Sequence, residues 1–287
     1  MNIFDDIKLQ YKIGGMVQKL IFWNIGLFVL FSLLTVVFKF SNIAFNYFDW
    51  VALSSNTTEF LAKPWTIVTF NFFHATILHL IFNLIVLHFS GRLFNTYFTD
   101  KQLFGVYLLG GIFSGLTFIL MFFLLGKTSP LVGASGAIMA LLIATATYAP
   151  FMLLRIPLLG VVKLWHVASV ILLIDLIQLP YENMGGHLAH LGGAIFGFIY
   201  IKFLQSGIDL TKPISVLLDG CVTLFKPKKK TPFKKVHRNT SKNNVHSYNQ
   251  NKDITQKQID EILDKISQSG YDCLTKEEKE FLFKAGK

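Results

Sequence analysis

The sequence predicts an all-α, polytopic membrane protein built as a bundle of six transmembrane helices, and two observations carry this prediction. The 287 residues are 52% hydrophobic with a mean hydropathy of +0.49, and only 15% of them are charged. The apolar residues are also gathered in separate runs of about 20 residues, which is the length of helix that crosses a bilayer. A soluble domain could bury some apolar residues in its core, but not several runs of that length.

The spans follow from these apolar runs and from the residues that interrupt them. They are predicted, in order, at about residues 20–38, 72–91, 103–125, 135–149, 157–179 and 186–204. The fourth is short, rich in Ala and Gly and stopped by Pro150, so it is expected to lie inside the bundle rather than against lipid. The loop between the first two spans holds aromatic residues that are expected to keep it on the membrane surface.

Polar segments flank the spans and divide the chain into four parts. A cytoplasmic head at 1–19 precedes the six-span core at 20–204, and a basic, partly disordered linker at 205–253 and a short helical tail at 254–287 follow it. Six spans place both ends on one side. The excess of Lys and Arg in the ends and in alternate loops predicts that this side is the cytoplasm. The expected setting is the inner (cytoplasmic) membrane of a bacterium.

The C-terminal part is marked by charge. Eight Lys or Arg residues and no acid lie within 226–242, a cluster that should attract anionic lipid headgroups. No nucleic-acid recognition fold surrounds the cluster, so nucleic acid is not an expected partner. The stretch 239–251 is predicted to be disordered, and helices are predicted over 254–267 and after Thr275.

The stretch Gly133-Ala134-Ser135-Gly136 opens the fourth span. A serine at a helix start is accessible when small residues flank it, and the unpaired N–H groups there can stabilise an oxyanion. Access and oxyanion stabilisation are the needs of a serine nucleophile. Small residues around a serine also serve plain helix packing in membranes, which is the alternative interpretation.

A histidine in the sixth span could supply the base. His190 is followed at i+3 and i+7 by Gly193 and Gly197, and this small face would let the sixth span approach the fourth. Close approach would bring a histidine nitrogen within reach of the serine hydroxyl. His187, one turn earlier, lacks glycines at that spacing and ranks second. The alternative is a structural histidine beside a packing motif.

The second span adds His79 and Asn83, which are four residues apart and share a helix face. Both side chains can donate a hydrogen bond to an oxyanion, and the alternative is an interhelical polar contact. Spans two, four and six all run inward from the external side. Their polar groups should therefore meet at one level in the outer part of the bilayer, where an ionisable residue is costly and needs a reason.

These three sets of residues, on spans two, four and six, together resemble the rhomboid intramembrane serine proteases over about residues 20–204. The resemblance implies a Ser135–His190 dyad without a third acid, cleavage of transmembrane substrates near the outer membrane face, and no cofactor or metal. It also implies that His79, Asn83 and the Ser135 backbone N–H form an oxyanion hole. The residues expected to lie near this site are Gly133, Gly136, Met139, Gly193, Gly197 and His74.

Three positions depart from the family pattern. Thr66 stands where the family often has Arg, Asn95 where an acid often follows the second span, and Met139 where many members have an aromatic ring against the histidine. Met139 can fill that space, but it orients the ring less rigidly. None of the three departures removes a catalytic group.

Other ionisable residues in the spans have plainer interpretations. Asp175, in the fifth span, is interpreted first as an acid near the outer end that reaches interfacial water, and second as a polar contact of the helix that gates substrate access. A zinc site from His79, His187 and His190 would lack a carboxylate nearby to orient it. His88, deeper in the second span, is expected in a polar contact between helices.

The function expected from this resemblance is intramembrane serine proteolysis, with a transmembrane protein as substrate and the bilayer as the surrounding partner. The alternative is a catalytically silent rhomboid-like protein that holds membrane clients without cutting them, and the presence of both Ser135 and His190 favours the enzyme. A transporter or channel would need internal repeats or interrupted helices with midplane charges, which are not evident. The sequence leaves open the client protein and the oligomeric state.

Overall fold

The computed structural model describes residues 2–157, 160–225 and 245–285. The chain divides into two compact units, Met1–Pro227 and Lys228–Lys287. The helices of the first unit are α1 (Ile3–Ile13), α2 (Met16–Phe40), α3 (Phe48–Val51), α4 (Thr57–Ala62), α5 (Thr66–Thr69), α6 (Ile77–Phe94), α7 (Asp100–Leu125), α8 (Ser135–Tyr148), α9 (Leu164–Gln178), α10 (Met184–Gln205) and α11 (Lys212–Phe225). Its strands are β1 (Leu53–Ser54), β2 (Pro130–Leu131), β3 (Leu153–Ile156) and β4 (Gly160–Lys163), and the helices of the second unit are α12 (Val245–Ser269) and α13 (Lys276–Ala285).

The fold is an all-α, multi-pass membrane bundle. Among the described residues, α2, α6, α7 and α10 are long and apolar enough to cross a bilayer. The helices α8 and α9 are apolar as well, but they have only 14 and 15 residues and so extend about 21–23 Å. The six helices lie at the six predicted spans, which confirms the fold class that the sequence predicts.

The short helix α8 lies in the middle of this bundle. Every residue from Gly136 to Ala146 is buried, as predicted for a span made of small residues. The helices α6, α7 and α10 pack around it. Because Ala and Gly carry little or no side chain, neighbouring helices can approach α8 closely on several sides.

The closest approach is between α8 and α10. A Cβ on Gly193 would overlap the Gly136 carbonyl oxygen, and a Cβ on Gly197 would lie 3.0 Å from the Ala144 nitrogen. The two helices therefore meet backbone to backbone. This contact confirms that the small face of the sixth span packs on the fourth.

The second span begins later than the sequence suggests. The prediction starts it at residue 72, but α6 begins at Ile77 because Thr76 caps the helix and accepts a hydrogen bond from the His79 N–H at 3.2 Å. His79 therefore lies in the first turn of α6 and not two turns into it. The residues just before, Phe70–Phe72, form a separate 3-10 turn.

The fifth span also begins later. It is predicted from Pro157, but β3 and β4 form an antiparallel hairpin with Ile156 opposite Gly160, and α9 begins only at Leu164. Gly160 has a φ of +79°, which glycine adopts at little cost, and the β-branched Val161 and Val162 favour a strand. A hairpin thus replaces the first turns of the predicted helix.

The segment between α2 and α6 is folded against the chain that leads into α8. β1 pairs with β2, and the Ser129 N–H donates to Ser55 Oγ at 2.8 Å. Within the segment, Trp65 Nε1 donates to the Trp50 carbonyl at 2.8 Å. These contacts fix the position of the residues immediately before Ser135.

The predicted linker at 205–253 contains more helix than its composition suggests. α11 is joined to α7 by an ion pair between Lys101 Nζ and an Asp219 carboxylate oxygen at 2.7 Å. α12 begins at Val245, so the part of the predicted disordered stretch from residue 245 to 251 is helical. The basic cluster at 226–242 lies outside the described residues.

In the second unit, α13 opens with the capping arrangement that its sequence predicts. The Glu278 N–H donates to Thr275 Oγ1 at 3.2 Å, and the Thr275 N–H donates to the Glu278 carboxylate at 2.9 Å. The same carboxylate accepts from Lys265 Nζ at 2.6 Å, which ties α13 to α12.

Candidate active site

Ser135 is the first residue of α8, and its side chain is partly buried. The backbone before it turns at Gly133, whose φ is +133° and whose N–H donates to the Phe70 carbonyl at 2.9 Å. Glycine reaches this φ without the steric cost that a Cβ brings. As the first helical residue, Ser135 has a backbone N–H with no intrahelical partner.

His79 lies beside this turn. A Cβ on Gly133 would be 2.8 Å from His79 Cε1, 2.9 Å from His79 Nε2 and 3.8 Å from Ser135 Oγ. The space that a side chain at 133 would fill is therefore shared by the imidazole of His79 and the hydroxyl of Ser135. Glycine at 133 is required both for its φ and for this close approach.

His190 is brought to Ser135 by the contact between α8 and α10. A Cβ on Gly136, the residue after Ser135, would lie 3.1 Å from the carbonyl oxygen of Ala189, the residue before His190. The side chains of Ser135 and His190 line one cavity of about 920 Å³, together with those of His79 and Asn83. In the described part of the chain the Ser135 hydroxyl makes no hydrogen bond, and catalytic hydrogen bonds often tighten only when substrate is bound.

Asn83 lies one turn after His79 on α6. Its Nδ2 donates to the His79 carbonyl at 2.8 Å, and its Oδ1 is buried without a partner among the described residues. The amide has two N–H groups, so one remains for a group in the cavity.

His74 lies before α6, and not within the second span as the sequence prediction has it. It is only 1% exposed, and its ring stands edge-on to the ring of His79, with 5.1 Å between centroids and 70° between planes. Its buried ring therefore packs directly against the ring of His79.

Asp175 is where the structure departs most from the sequence-based interpretation. Its Oδ1 lies 2.8 Å from His190 Nδ1 and 2.8 Å from His187 Nδ1, and the residue is only 4% exposed. The interpretation of Asp175 as an acid reaching interfacial water is therefore wrong. A carboxylate also stands against the histidine of the implied dyad, where the resemblance implies no third acid.

One sequence signal could have found this contact. His187 and His190 are three residues apart and share a face of α10, and a lone acid in an apolar span needs a partner. The sequence did not show which face of α9 carries Asp175 towards α10. His187, the second-ranked base, shares the carboxylate with His190 but does not line the cavity, whereas His190 does.

The side chains of Asp175, His187 and His190 also form a set that could hold a divalent metal ion. Their ligand atoms all lie within 4.8 Å of one another, and zinc accepts both imidazole nitrogens and carboxylate oxygens. The sequence-based objection that a histidine zinc site here lacks a carboxylate is therefore wrong. The nitrogen–oxygen distances of 2.8 Å are nevertheless those of hydrogen bonds.

The rest of the cavity wall is largely apolar. Phe82 and Val86 line it from α6, and Ile171 and Ile174 line it from α9. Met139, in place of the aromatic residue that many rhomboids have, is 4% exposed and also lines the cavity. Apart from its polar groups, the cavity is therefore suited to an apolar ligand.

The other departures from the family pattern are compensated locally. Thr66 is buried, and its hydroxyl donates to the Lys63 carbonyl at 2.7 Å. Asn95 Nδ2 donates to Asp100 Oδ1 at 2.9 Å, which holds the end of α6 to the start of α7. His88 is exposed, so the expectation that it makes a buried contact between helices is wrong.

Comparisons with known proteins match two parts of the chain to known families. The rhomboid domain family matches residues 61–206, and a family of unknown function, DUF6576, matches residues 245–284. The chain is 33% identical over 138 residues to presenilin-associated rhomboid-like protein A, mitochondrial, of Danio rerio, covering 46% of this chain and 36% of that protein. It is 32% identical over 154 residues to the mouse presenilin-associated rhomboid-like protein, mitochondrial, covering 52% and 40%, and 29% identical to the human one over the same length. The chain thus spans about two fifths of the length of these curated relatives.

Proposed function

This chain belongs to the rhomboid family, and from that premise we propose that it is an intramembrane serine endopeptidase. It cleaves transmembrane segments of membrane proteins near the extracytoplasmic face. The observation that carries the proposal is that Ser135, at the start of α8, and His190, on α10, line one cavity between two helices in backbone contact. A nucleophile and a base therefore line the same cavity.

The proposed reaction uses Ser135 as the nucleophile and His190 as the base. His190 takes the hydroxyl proton as Oγ bonds to the scissile carbonyl carbon, and it returns that proton to the leaving amine when the C–N bond breaks. Water, deprotonated by the same imidazole, then attacks the ester carbonyl carbon. The bond from that carbon to Ser135 Oγ breaks, His190 returns the proton to Oγ, and the carboxylic acid product leaves. The reaction needs no cofactor.

The negative oxygen of the tetrahedral intermediate needs donors, and three are close by. The Ser135 N–H has no partner within its helix, His79 stands beside the Ser135 hydroxyl across Gly133, and Asn83 has an N–H to spare. We assign these groups to the oxyanion hole. Removing one such donor commonly costs about 10²–10³ in rate.

The cavity walls support a transmembrane segment as the substrate. Phe82 and Val86 on α6 and Ile174 on α9 line the cavity, and all three side chains are also exposed at the surface of the bundle. An apolar segment in the bilayer could therefore reach Ser135 sideways between α6 and α9 without passing through water. Peptide hydrolysis still needs water, which the polar groups that line the cavity can bind.

The orientation in the membrane is part of the proposal. With both termini cytoplasmic, the start of α8 would face the opposite side, where the cut is proposed. The basic cluster at 226–242 would then lie near anionic lipids on the cytoplasmic side. A bacterial cytoplasmic membrane remains our prediction for the setting, although the relatives' names place them in mitochondria.

The test is covalent labelling with a serine-reactive fluorophosphonate, together with cleavage of a reporter that has a single transmembrane segment. Wild-type protein should label at Ser135 and cut the reporter, and Ser135→Ala should do neither while keeping its thermal stability. Ser206→Ala, which removes an exposed hydroxyl at the far end of α10, is the matched control and should behave as wild type. A folded wild-type protein that binds the reporter without labelling or cleavage would support the catalytically silent alternative instead.

A further inference from the structure

Asp175 has no role in the Ser–His mechanism described above, yet its Oδ1 lies at hydrogen-bond distance from two histidines. In α9 the buried residues are Leu164, Ala168 and Asp175, so the acid is the only buried side chain in the C-terminal half of that helix. Its neighbours Ile174 and Leu176 are exposed. An acid turned inward from an apolar helix is costly unless it is paired, so its partners indicate what it does.

The two hydrogen bonds of Asp175 restrict the proton positions on its partners. An ionised carboxylate can only accept hydrogen bonds, so the Nδ1 atoms of His187 and His190 must both carry a proton where they face Oδ1 at 2.8 Å. A neutral imidazole has one N–H. With the proton on Nδ1, the Nε2 of His190 is left with a lone pair, which is the form required to accept the proton of Ser135.

We propose that Asp175 is a positioning residue for His190, which fixes the ring orientation and the tautomer of the base and stabilises the imidazolium that forms as the serine attacks. This inference rests on the proposed protease function. The resulting arrangement is Ser135 on α8, His190 on α10 and Asp175 on α9, so three helices each supply one member. It adds an acid to a pair for which the family resemblance implies none.

The surroundings of His190 favour this role. His187, on the same helix, shares the carboxylate and stands edge-on to His190, with 5.8 Å between ring centroids. His79 lines the same cavity from α6, and Ser135 lines it from α8. Asp175 is therefore the only group of opposite charge that can stabilise a protonated His190 among the described residues that face it.

Two other roles would use the same contacts. Asp175 could serve only as a latch that holds α9 to α10, or the three side chains could bind a metal ion. A latch would use the same Nδ1–H hydrogen bonds, but it would not make the rate of the chemical step depend on the charge of Asp175. A metal would need the nitrogen and oxygen atoms to move apart from hydrogen-bond distance, because an ion must lie between them.

The first experiment compares Asp175→Asn with Asp219→Asn. Asparagine keeps the shape of Asp175 but removes its charge, and its amide group can pair with either tautomer of His190. Asp219→Asn removes an exposed carboxylate of α11 and serves as the matched control. We expect Asp175→Asn to lower kcat by about 10- to 150-fold and to slow fluorophosphonate labelling of Ser135 in parallel, with KM little changed. The control should match wild type.

The second experiment reads the tautomer directly and needs no activity. Protein labelled with ¹⁵N-histidine is examined by NMR, and the His190 signals are assigned by their loss in His190→Gln. Wild-type His190 should show a protonated Nδ1 and a bare Nε2, and Asp175→Asn should convert it to a mixture or to the opposite tautomer.

The outcomes separate this inference from the proposed function. If Ser135 labels and cleaves but Asp175→Asn changes neither kcat nor the tautomer, Asp175 is only a latch and the positioning role is wrong. A drop in activity that follows lost thermal stability, with the tautomer unchanged, also contradicts it. Activity removed by EDTA and restored by Zn²⁺ would assign the trio to a metal and overturn it. Failure of the proposed protease function would appear separately, as wild-type protein that does not label.

Discussion

Because α8 and α10 are in backbone contact, we predict that Gly193→Ala lowers both the stability and the activity of the protein. The new Cβ would overlap the Gly136 carbonyl oxygen and lie 3.2 Å from Gly136 Cα. Neither atom belongs to a flexible side chain, so the overlap cannot be relieved by a rotamer change. The helices must separate by roughly 1 Å or more to restore ordinary contact distances.

The expected change in the free energy of unfolding is the sum of two opposing contributions. Overpacking a close contact costs about 1–3 kcal/mol, and the upper end applies because backbone meets backbone. Replacing glycine by alanine within a helix returns about 0.5–1 kcal/mol. The net loss in free energy of unfolding is therefore about 2 kcal/mol. Activity should fall further than stability, because a displacement of about 1 Å between catalytic groups can cost about 10²-fold in rate.

Thermal unfolding in detergent and the rate of fluorophosphonate labelling measure these two effects. Gly26→Ala is the matched control, since it makes the same substitution in a membrane helix where no atom lies within 4 Å of the new Cβ. That variant should be as stable as wild type or slightly more so, and it should label normally. If Gly193→Ala melts and labels like Gly26→Ala, the two helices are not in backbone contact and the proposed geometry of Ser135 and His190 fails with it.

The remaining predictions concern the turn before the serine and the C-terminal unit. Gly133→Ala should abolish labelling, because the residue has a φ of +133° and its new Cβ would meet the ring of His79. Gly126→Ala is the control: Gly126 also has a positive φ but no neighbour near the new Cβ, so this variant should lose stability and still label. Equal labelling of the two variants would contradict the close contact between Gly133 and His79. In the C-terminal unit, the hydrogen bond from Lys265 lowers the pKa of Glu278 below its ordinary 4.5. The contact between α12 and α13 should therefore persist above pH 4.5 and weaken as the pH falls below it. Amide hydrogen exchange in α13 should then become faster. Glu278→Gln should remove this pH dependence, and a pH dependence that persists in the variant would show that another group causes it.

Much of the architecture could be predicted because the signals for it are local. Hydropathy located all six spans, and the spacing of Gly193 and Gly197 after His190 identified the face that meets α8. The same spacing argument placed Asn83 beside His79. Two span starts were predicted too early for local reasons. Thr76 caps α6, so that helix begins at Ile77, and the strand β4, which begins at Gly160, precedes α9.

The partners of Asp175 could not be predicted in the same way. The helix α9 is apolar nearly all round, so nothing in its sequence shows which side faces α10. The sequence shows that two histidines and one acid are present in these spans. Whether their side chains touch depends on how α9 is rotated about its own axis.

By itself, the sequence determined that the chain is a multi-pass helical membrane protein, and it placed Ser135, His190, His79 and Asn83 on three of its helices. These properties follow from hydropathy and helical periodicity, which can be read from each segment of the sequence without the others. Only the tertiary structure decided that Asp175 holds both His187 and His190, because that contact joins separate helices and is fixed by how the whole bundle packs.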